Sequence, residues 1–416
     1  MRMKTKKLML RLLPVIILFV VINTGFGIEY ALRIPREWIT SEPAGYYNTL
    51  SNPLDNRSSN GLAVDTLDKI AYVTAGYKML ILDVADADNP ILLSYYSTPV
   101  VAKFMALQDD MLILTGPKEF RIMDVSNHLF PHSLSTFYIH ENYSITDVQI
   151  QGDYVYLAVR VDGSGLEPYG TILQSMVIVD ISNPYIPQET AVYRRGIYSD
   201  DLVVAGNIAY LSWSELGTQL VDITNKSAPR SLDKFQMFGL VSHLPQAVDL
   251  EEARIQTIDS STYIFVADGD NGYIIGDVTN PRDVQNAGGV SLGNITANAV
   301  AIDLSFYHAF ILFDTGQVIV YSLNKPTKFK LAGIFDFINP GYGKEIYIHD
   351  ATSTLYILQN NGLFIFNLVD DVKNNYYLEE MKFGYTWIAI LLSMIICVPL
   401  AVSAVIRHKE KFSYHT

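Results

Sequence analysis

The sequence predicts an all-β fold, a seven-bladed β-propeller of four-stranded blades, followed by one C-terminal transmembrane helix. Three observations carry this prediction. A strand–turn unit ending in an apolar run and an acidic or polar residue recurs seven times between residues 60 and 368. Aromatic residues make up 12% of the chain and charged residues only 18%, a balance that favours pleated, half-buried strands over solvated helices. A stretch of 22 residues without a charge, Tyr385–Ile406, stands near the end.

Residues 1–27 are expected to be a signal peptide. Met1 to Arg11 carries five basic residues and no acid, an apolar run follows from Leu12 to Ile22, and Gly25 and Gly27 offer the small residues at which such segments are cut. An uncleaved anchor is the alternative. Residues 28–59 then form an N-terminal segment ahead of the first repeat.

Residues 60–368 hold the repeats, and their third strands show the pattern best. The anchors read Leu80-Ile-Leu-Asp83, Arg121-Ile-Met-Asp124, Val177-Ile-Val-Asp180, Leu220-Val-Asp222, Ile275-Gly-Asp277, Val320-Tyr-Ser322 and Ile365-Phe-Asn367. Their last residues are separated by 41, 56, 42, 55, 45 and 45 positions, close to the ~40–50 of a four-stranded propeller blade. In the first unit, Leu62 to Thr66 is the innermost strand, Ile70 to Thr74 the second, Met79 to Val84 the third and Ile91 to Tyr96 the outermost. Asp, Asn, Gly and Pro punctuate these runs: Gly takes positive φ, Asx side chains bond nearby amides and Pro ends a ladder. The recurring Asp invites a metal or catalytic reading. A carboxylate beside every turn is better explained as an acceptor for backbone N–H groups.

These units resemble the LVIVD repeat family of bacterial and archaeal surface proteins, and Val177-Ile-Val-Asp180-Ile-Ser-Asn-Pro184 follows its pattern almost letter for letter. The resemblance spans about three quarters of the chain and implies a β-propeller; it carries no catalytic residue with it. Ser322 and Asn367 stand where the pattern has Asp. The seventh unit ends with its third strand at Leu368, so its outermost strand must come from elsewhere. Closing the ring by a segment such as Tyr46 to Leu50 joins both chain ends and covers an open edge. Tyr376 to Phe383 is the alternative.

After a juxtamembrane linker, residues 369–384, the uncharged segment 385–406 is long enough to cross a hydrocarbon core of about 30 Å as a helix. Arg407, His408, Lys409 and Lys411 follow it, which places the tail, residues 407–416, in the cytoplasm and the propeller outside the cell membrane. Residues 28–406 hold 22 basic and 42 acidic residues, a balance that disfavours nucleic acid and anionic lipid as partners. Cys397, the only cysteine, lies in the uncharged segment, so no disulfide supports the propeller. Possible N-glycosylation sequons begin at Asn56, Asn142, Asn225 and Asn294.

Function is less legible. Long connections on a rigid scaffold are the default place for binding. The candidates are Glu167 and Tyr169 in a connection placed between Arg160 and Ser175; Arg194, Arg195 and Tyr198 between blades three and four; Trp213 in blade four; and Phe238 and His243 in the link from Gln236 to Arg254. Asp268-Gly-Asp270-Asn271-Gly272 gathers oxygen donors, but its spacing is too short for an EF-hand, and a Gly-rich turn explains it more simply. No metal or other cofactor is expected. H-E-x-x-H, the Walker loop and G-x-G-x-x-G after a strand are absent. The leading reading is therefore a noncatalytic module that binds a surface protein or a glycan. A carbohydrate hydrolase with Asp or Glu in the central funnel is the second, needing two carboxyl groups roughly 5 to 10 Å apart; perturbed carboxylates clustered in that funnel would count against the first. A structural component of the cell envelope is the third.

Overall fold

The computed structural model describes residues 45–48, 59–161, 174–194, 199, 201–213, 217–235, 252–268, 272–290, 297–303, 308–323, 330–335, 342–349 and 354–368. The segments expected as signal peptide and transmembrane helix lie outside them. No helix among the described residues is long and apolar enough to cross a membrane.

Seven four-stranded antiparallel sheets form the blades. The first strand of the chain, β1 (Gly45–Asn48), belongs to the last blade. Blade one is β2 (Ser59–Asp65), β3 (Ile70–Ala75), β4 (Lys78–Asp83) and β5 (Ile91–Ser97). Blade two is β6 (Met105–Gln108), β7 (Met111–Thr115), β8 (Glu119–Asp124) and β9 (His132–Tyr138); blade three is β10 (Tyr143–Gln151), β11 (Tyr154–Val161), β12 (Gln174–Asp180) and β13 (Gln188–Arg194). Blade four is β14 (Leu202–Ala205), β15 (Ile208–Trp213), β16 (Gly217–Asp222) and β17 (Arg230–Phe235); blade five is β18 (Glu252–Ile258), β19 (Ser261–Asp268), β20 (Gly272–Asp277) and β21 (Gln285–Val290). Blade six is β22 (Ala297–Asp303), β23 (His308–Phe313), β24 (Val318–Ser322) and β25 (Lys330–Phe335). Blade seven is β26 (Gly343–His349), β27 (Thr354–Gln359), β28 (Gly362–Asn367) and, outermost, β1.

The innermost strands pack in a closed circuit, β2 on β6, β10, β14, β18, β22 and β26 in turn, with β26 back on β2. Apolar side chains fill the spaces between blades rather than within them, because a single four-stranded sheet has two faces to cover and only its neighbours to cover them. Tyr72 and Met79 of blade one meet Met105 and Leu112 of blade two, and Val203 and Tyr210 of blade four meet Val266 and Ile274 of blade five. Each such large side chain contributes ~1.5–3 kcal/mol by leaving water.

The strand ends define two faces. Turns from first to second strand and from third to fourth strand meet on one, here the turn face; Val84 N–H of a third-to-fourth turn donates to Lys69 O of a first-to-second turn at 2.9 Å. Connections from second to third strand and from one blade to the next emerge on the other, the connection face. Some expected loop residues are strand residues instead. Arg160 pairs with Ser144, Arg194 with Gln174, Trp213 with Gly217 and Arg254 with Phe265. Pairing carries on past the apolar run of β11, β13 and β15, and it begins before that of β18.

Ring closure depends on β1. It pairs antiparallel with β28, from Gly45 opposite Ile365 to Asn48 opposite Gly362. The Tyr46 ring lies 4.5 Å from that of Phe364, and its hydroxyl donates to Asn361 O at 3.0 Å. Gly362 permits this approach, since a Cβ there would lie 2.4 Å from Tyr47 O. Gly362→Ala is expected to displace β1 and to cost about 1–3 kcal/mol, as overpacking does. Hydrogen exchange checks it: amides of 45–48 and 363–365 should lose protection while those of blade two keep theirs.

Candidate functional site

Three carboxyl groups and one guanidinium gather on or beside the innermost strands, which line the centre of the ring. Asp147 follows an irregularity in β10, where the pairing shifts between Ile145 and Asp147, and Glu345 follows the same kind of shift in β26 between Gly343 and Glu345. An extra residue in an inner strand reverses the side to which the following side chains point, and this re-aims both acids. Asp201 immediately precedes β14, and Arg254 lies on β18.

Each acid reaches across a blade boundary. Asp147 Oδ2 accepts Leu202 N–H of blade four at 3.1 Å, and Glu345 Oε2 accepts Leu62 N–H of blade one at 2.5 Å. The Asp147 and Asp201 carboxyls are hydrogen-bonded to each other, and Asp201 also accepts from the backbone of Leu202 and of Ala253 in blade five. Two carboxyls bonded in this way share a proton. Burial first, then the neighbouring Asp201 charge, holds Asp147 well above the usual carboxylate range; burial also raises Asp201. Burial pushes Glu345 up to about 7, against the opposing pull of the Arg254 guanidinium and the Leu62 amide. Arg254 acts on all three acids.

This cluster is what the noncatalytic reading did not anticipate, and it weighs in favour of chemistry in the funnel. Its geometry tempers that weight. Mutually hydrogen-bonded carboxyls stand closer than the ~5 Å of a retaining glycosidase pair, and both already accept from backbone amides of neighbouring blades. No group of three His, Cys, Asp or Glu among the described residues is placed to hold a metal ion. The sequence also contains Gly289-Val-Ser291-Leu-Gly293, which has G-x-S-x-G spacing. Its first two residues end β21, and only six residues separate that strand from β22 at Ala297, too few for the helix that follows a nucleophile elbow.

The recurring Asp is a turn builder. Asp83, Asp124, Asp180, Asp222 and Asp277 each accept the N–H two residues on, at 2.8 to 3.0 Å. Asn127, Asn183, Asn225 and Asn280 repeat the arrangement three residues later. Hydrogen bonds from the Ser126, Ser182 and Thr224 side chains hold Asp124, Asp180 and Asp222 below the ordinary carboxylate range.

Of the loop candidates, Arg194 ends β13 on the connection face and is exposed; Trp213 ends β15 on the same face. Glu167, Tyr169, Arg195, Tyr198, Phe238 and His243 lie outside the described residues, as do Asn56, Asn294 and the centre of the Asp268–Gly272 turn. Asn142 and Asn225 are exposed. Sequence reading missed Asp147, Asp201, Arg254 and Glu345 as a group; the one signal was an acid inside an innermost strand, as in Thr146-Asp147-Val148.

The LVIVD repeat family matches residues 144–163, 173–194, 196–234 and 260–285, the third to fifth blades. The chain is thus a propeller carrying LVIVD repeats. The crystal structure of the β-propeller domain of Cps50 (Swd1) from Myceliophteria thermophila shares the fold with a TM-score of 0.56 and 8% identity, over 78% of this chain and 99% of that one. Curated proteins yield no match.

In the folded protein Glu345 holds its proton more tightly than in the unfolded chain. Its contribution therefore favours the fold in full below about 4.5 and is lost as the pH rises through about 7. The turn aspartates act in the opposite direction, but only below their ordinary value of 3.8. Thermal unfolding followed from about pH 5 to about pH 8 should show a falling midpoint, with a smaller fall in Glu345→Gln.

Proposed function

With a propeller of LVIVD repeats as the premise, we propose that this protein is a membrane-anchored extracytoplasmic module that binds a surface protein or glycan without transforming it. One observation carries the reading: the long connections collect on one sector of one face. The second-to-third connection spans residues 162–173 in blade three but only Gly76 and Tyr77 in blade one. The link after blade four, residues 236–251, leaves from the same connection face. Variable segments on a sector of a rigid ring are the arrangement by which a fixed scaffold acquires a specific partner. Arg and Tyr at their bases are residue types that anchor interfaces.

The anchored, outward-facing topology rests on the uncharged segment 385–406 and the basic cluster after it. Full-length protein used as bait against extracts of cell-surface material should retain a specific protein or glycan. Replacing Arg194 and Tyr198 by Ala should weaken that binding about tenfold or more, as loss of interface anchors does. Unchanged binding in that variant, or retention of nothing by the parent, would remove the reading.

The channel carboxyls favour a second reading, a carbohydrate hydrolase in which Glu345, with its raised proton affinity, is a general acid. Its mark would be glycan cleavage by the parent that falls by about 10²-fold or more in Glu345→Gln. Binding without cleavage across a polysaccharide panel would exclude it.

A further inference from the structure

The exposed apolar side chains divide by face. Among the described residues, those on the turn face fall in blades one to three: Leu67 in a first-to-second turn, and Ile91, Leu129, Phe130, Tyr185 and Ile186 in or beside third-to-fourth turns. Elsewhere the exposed large hydrophobics are mostly tyrosines, such as Tyr77, Tyr138 and Tyr342. Phe130 is 73% exposed and Ile186 61%. The turn does not require them. The same hydrogen-bonded turn in blades four and five carries Ser227-Ala228 and Arg282-Asp283 at the equivalent positions.

Both chain ends meet this face. β28 runs toward it, and β1 comes from it, since Gly45 lies opposite Ile365. From Leu368 the sequence reaches the uncharged segment at Tyr385 in 17 steps, a tether of at most about 60 Å at full extension. Blade three stands across the seven-membered ring from blade seven, and blades one and two lie between them, so a contact along this side and a tether at blade seven would tilt the face onto its blade one to three edge.

We propose that the turn face of blades one to three rests on a lipid bilayer, with Leu129, Phe130, Tyr185 and Ile186 seated at the boundary between headgroups and acyl chains. This inference rests on the anchored topology proposed above. Two adjacent tips pairing an aromatic with an aliphatic residue suit that boundary, where one end of a side chain is wet and the other dry. Asp124 and Asp180 open these turns and set acidic side chains beside the tips, so the surface is a zwitterionic one; anionic headgroups would be repelled.

The test uses full-length protein in phosphatidylcholine vesicles, in a Cys397→Ser background with one new cysteine, Phe130→Cys, Ile186→Cys or Ser227→Cys, bearing an environment-sensitive fluorophore. Brominated lipid should quench the labels at 130 and 186 at least about twofold more than the label at 227, which occupies the same turn in blade four. Replacing part of the lipid by phosphatidylglycerol should reduce that difference. If the protein floats with the vesicles after alkaline washing but all three labels are quenched alike, the docking is wrong and the anchor stands. If it does not float, the anchor fails and takes the docking with it. Burial of labels 130 and 186 only when a soluble protein is added would assign the surface to that protein and overturn the lipid reading.

Discussion

Ring closure by β1 is the constraint on which the rest of the molecule depends. A propeller of seven blades has one seam, and without β1 the seam would expose β28, a strand whose interior side chains are buried and whose outer edge would offer free N–H and C=O groups. The remedy is a strand of only four residues, stacked by Tyr46 on Phe364 and admitted by the absence of a side chain at Gly362. Because this strand comes from the beginning of the chain and its partner from the end, closure links positions more than 300 residues apart. Such a contact contributes only after every intervening blade is in place.

Between closure and the single blade lies a second level of organisation, the contacts that fix each blade to the one before it. Apolar side chains supply the bulk of the attraction but little direction. Direction comes from polar contacts. The Gln108 side chain exchanges hydrogen bonds with the backbone of Gly152, at 2.8 and 3.3 Å, and Gln151 does the same with Gly206. His128, in a turn of blade two, meets the Tyr72 hydroxyl and Asp68 of blade one at 3.1 Å each, and Ser135 donates to Pro184 O of the next turn. Asp147 and Glu345 belong to this level as much as to any chemistry, since each holds an amide of the following blade. A carboxylate is a costly way to do this in a dry interior. Arg254 and the proton shared by Asp147 and Asp201 are the means by which the charge is kept tolerable.

The blades were legible because a blade is a local object. Strand, turn and Asp recur within each group of about 45 residues, so one pattern repeated seven times exposes both the number of blades and their strand order. Even Ser322 and Asn367 do not break it, because the apolar run before them still forms a third strand. The need for β1 was legible for the same reason: a count of strands left the last blade one short. The carboxyl group was not. Asp147, Asp201, Arg254 and Glu345 sit in four blades, and nothing in the sequence around any one of them announces the others; only the closed circuit of inner strands brings them together. The strand positions of Arg160 and Arg194 were misread because a charge at the end of an apolar run looks like the start of a loop, and that of Arg254 because the charges at 251, 252 and 254 obscure where β18 begins.

The two faces of the ring differ in how much sequence freedom the fold leaves them. On the turn face the Asp and Asn side chains fix the backbone, so a turn of seven residues has few positions at which composition can change without loss of the fold. Where such a position is exposed and yet carries Phe or Ile rather than Ser or Asp, the fold itself supplies no reason for it. The connection face has the reverse character. Its segments vary from two residues to sixteen within the same ring, and closure does not pass through them. Length and composition there answer to a partner, while the turn face answers first to the backbone and only at its tips to whatever lies against it.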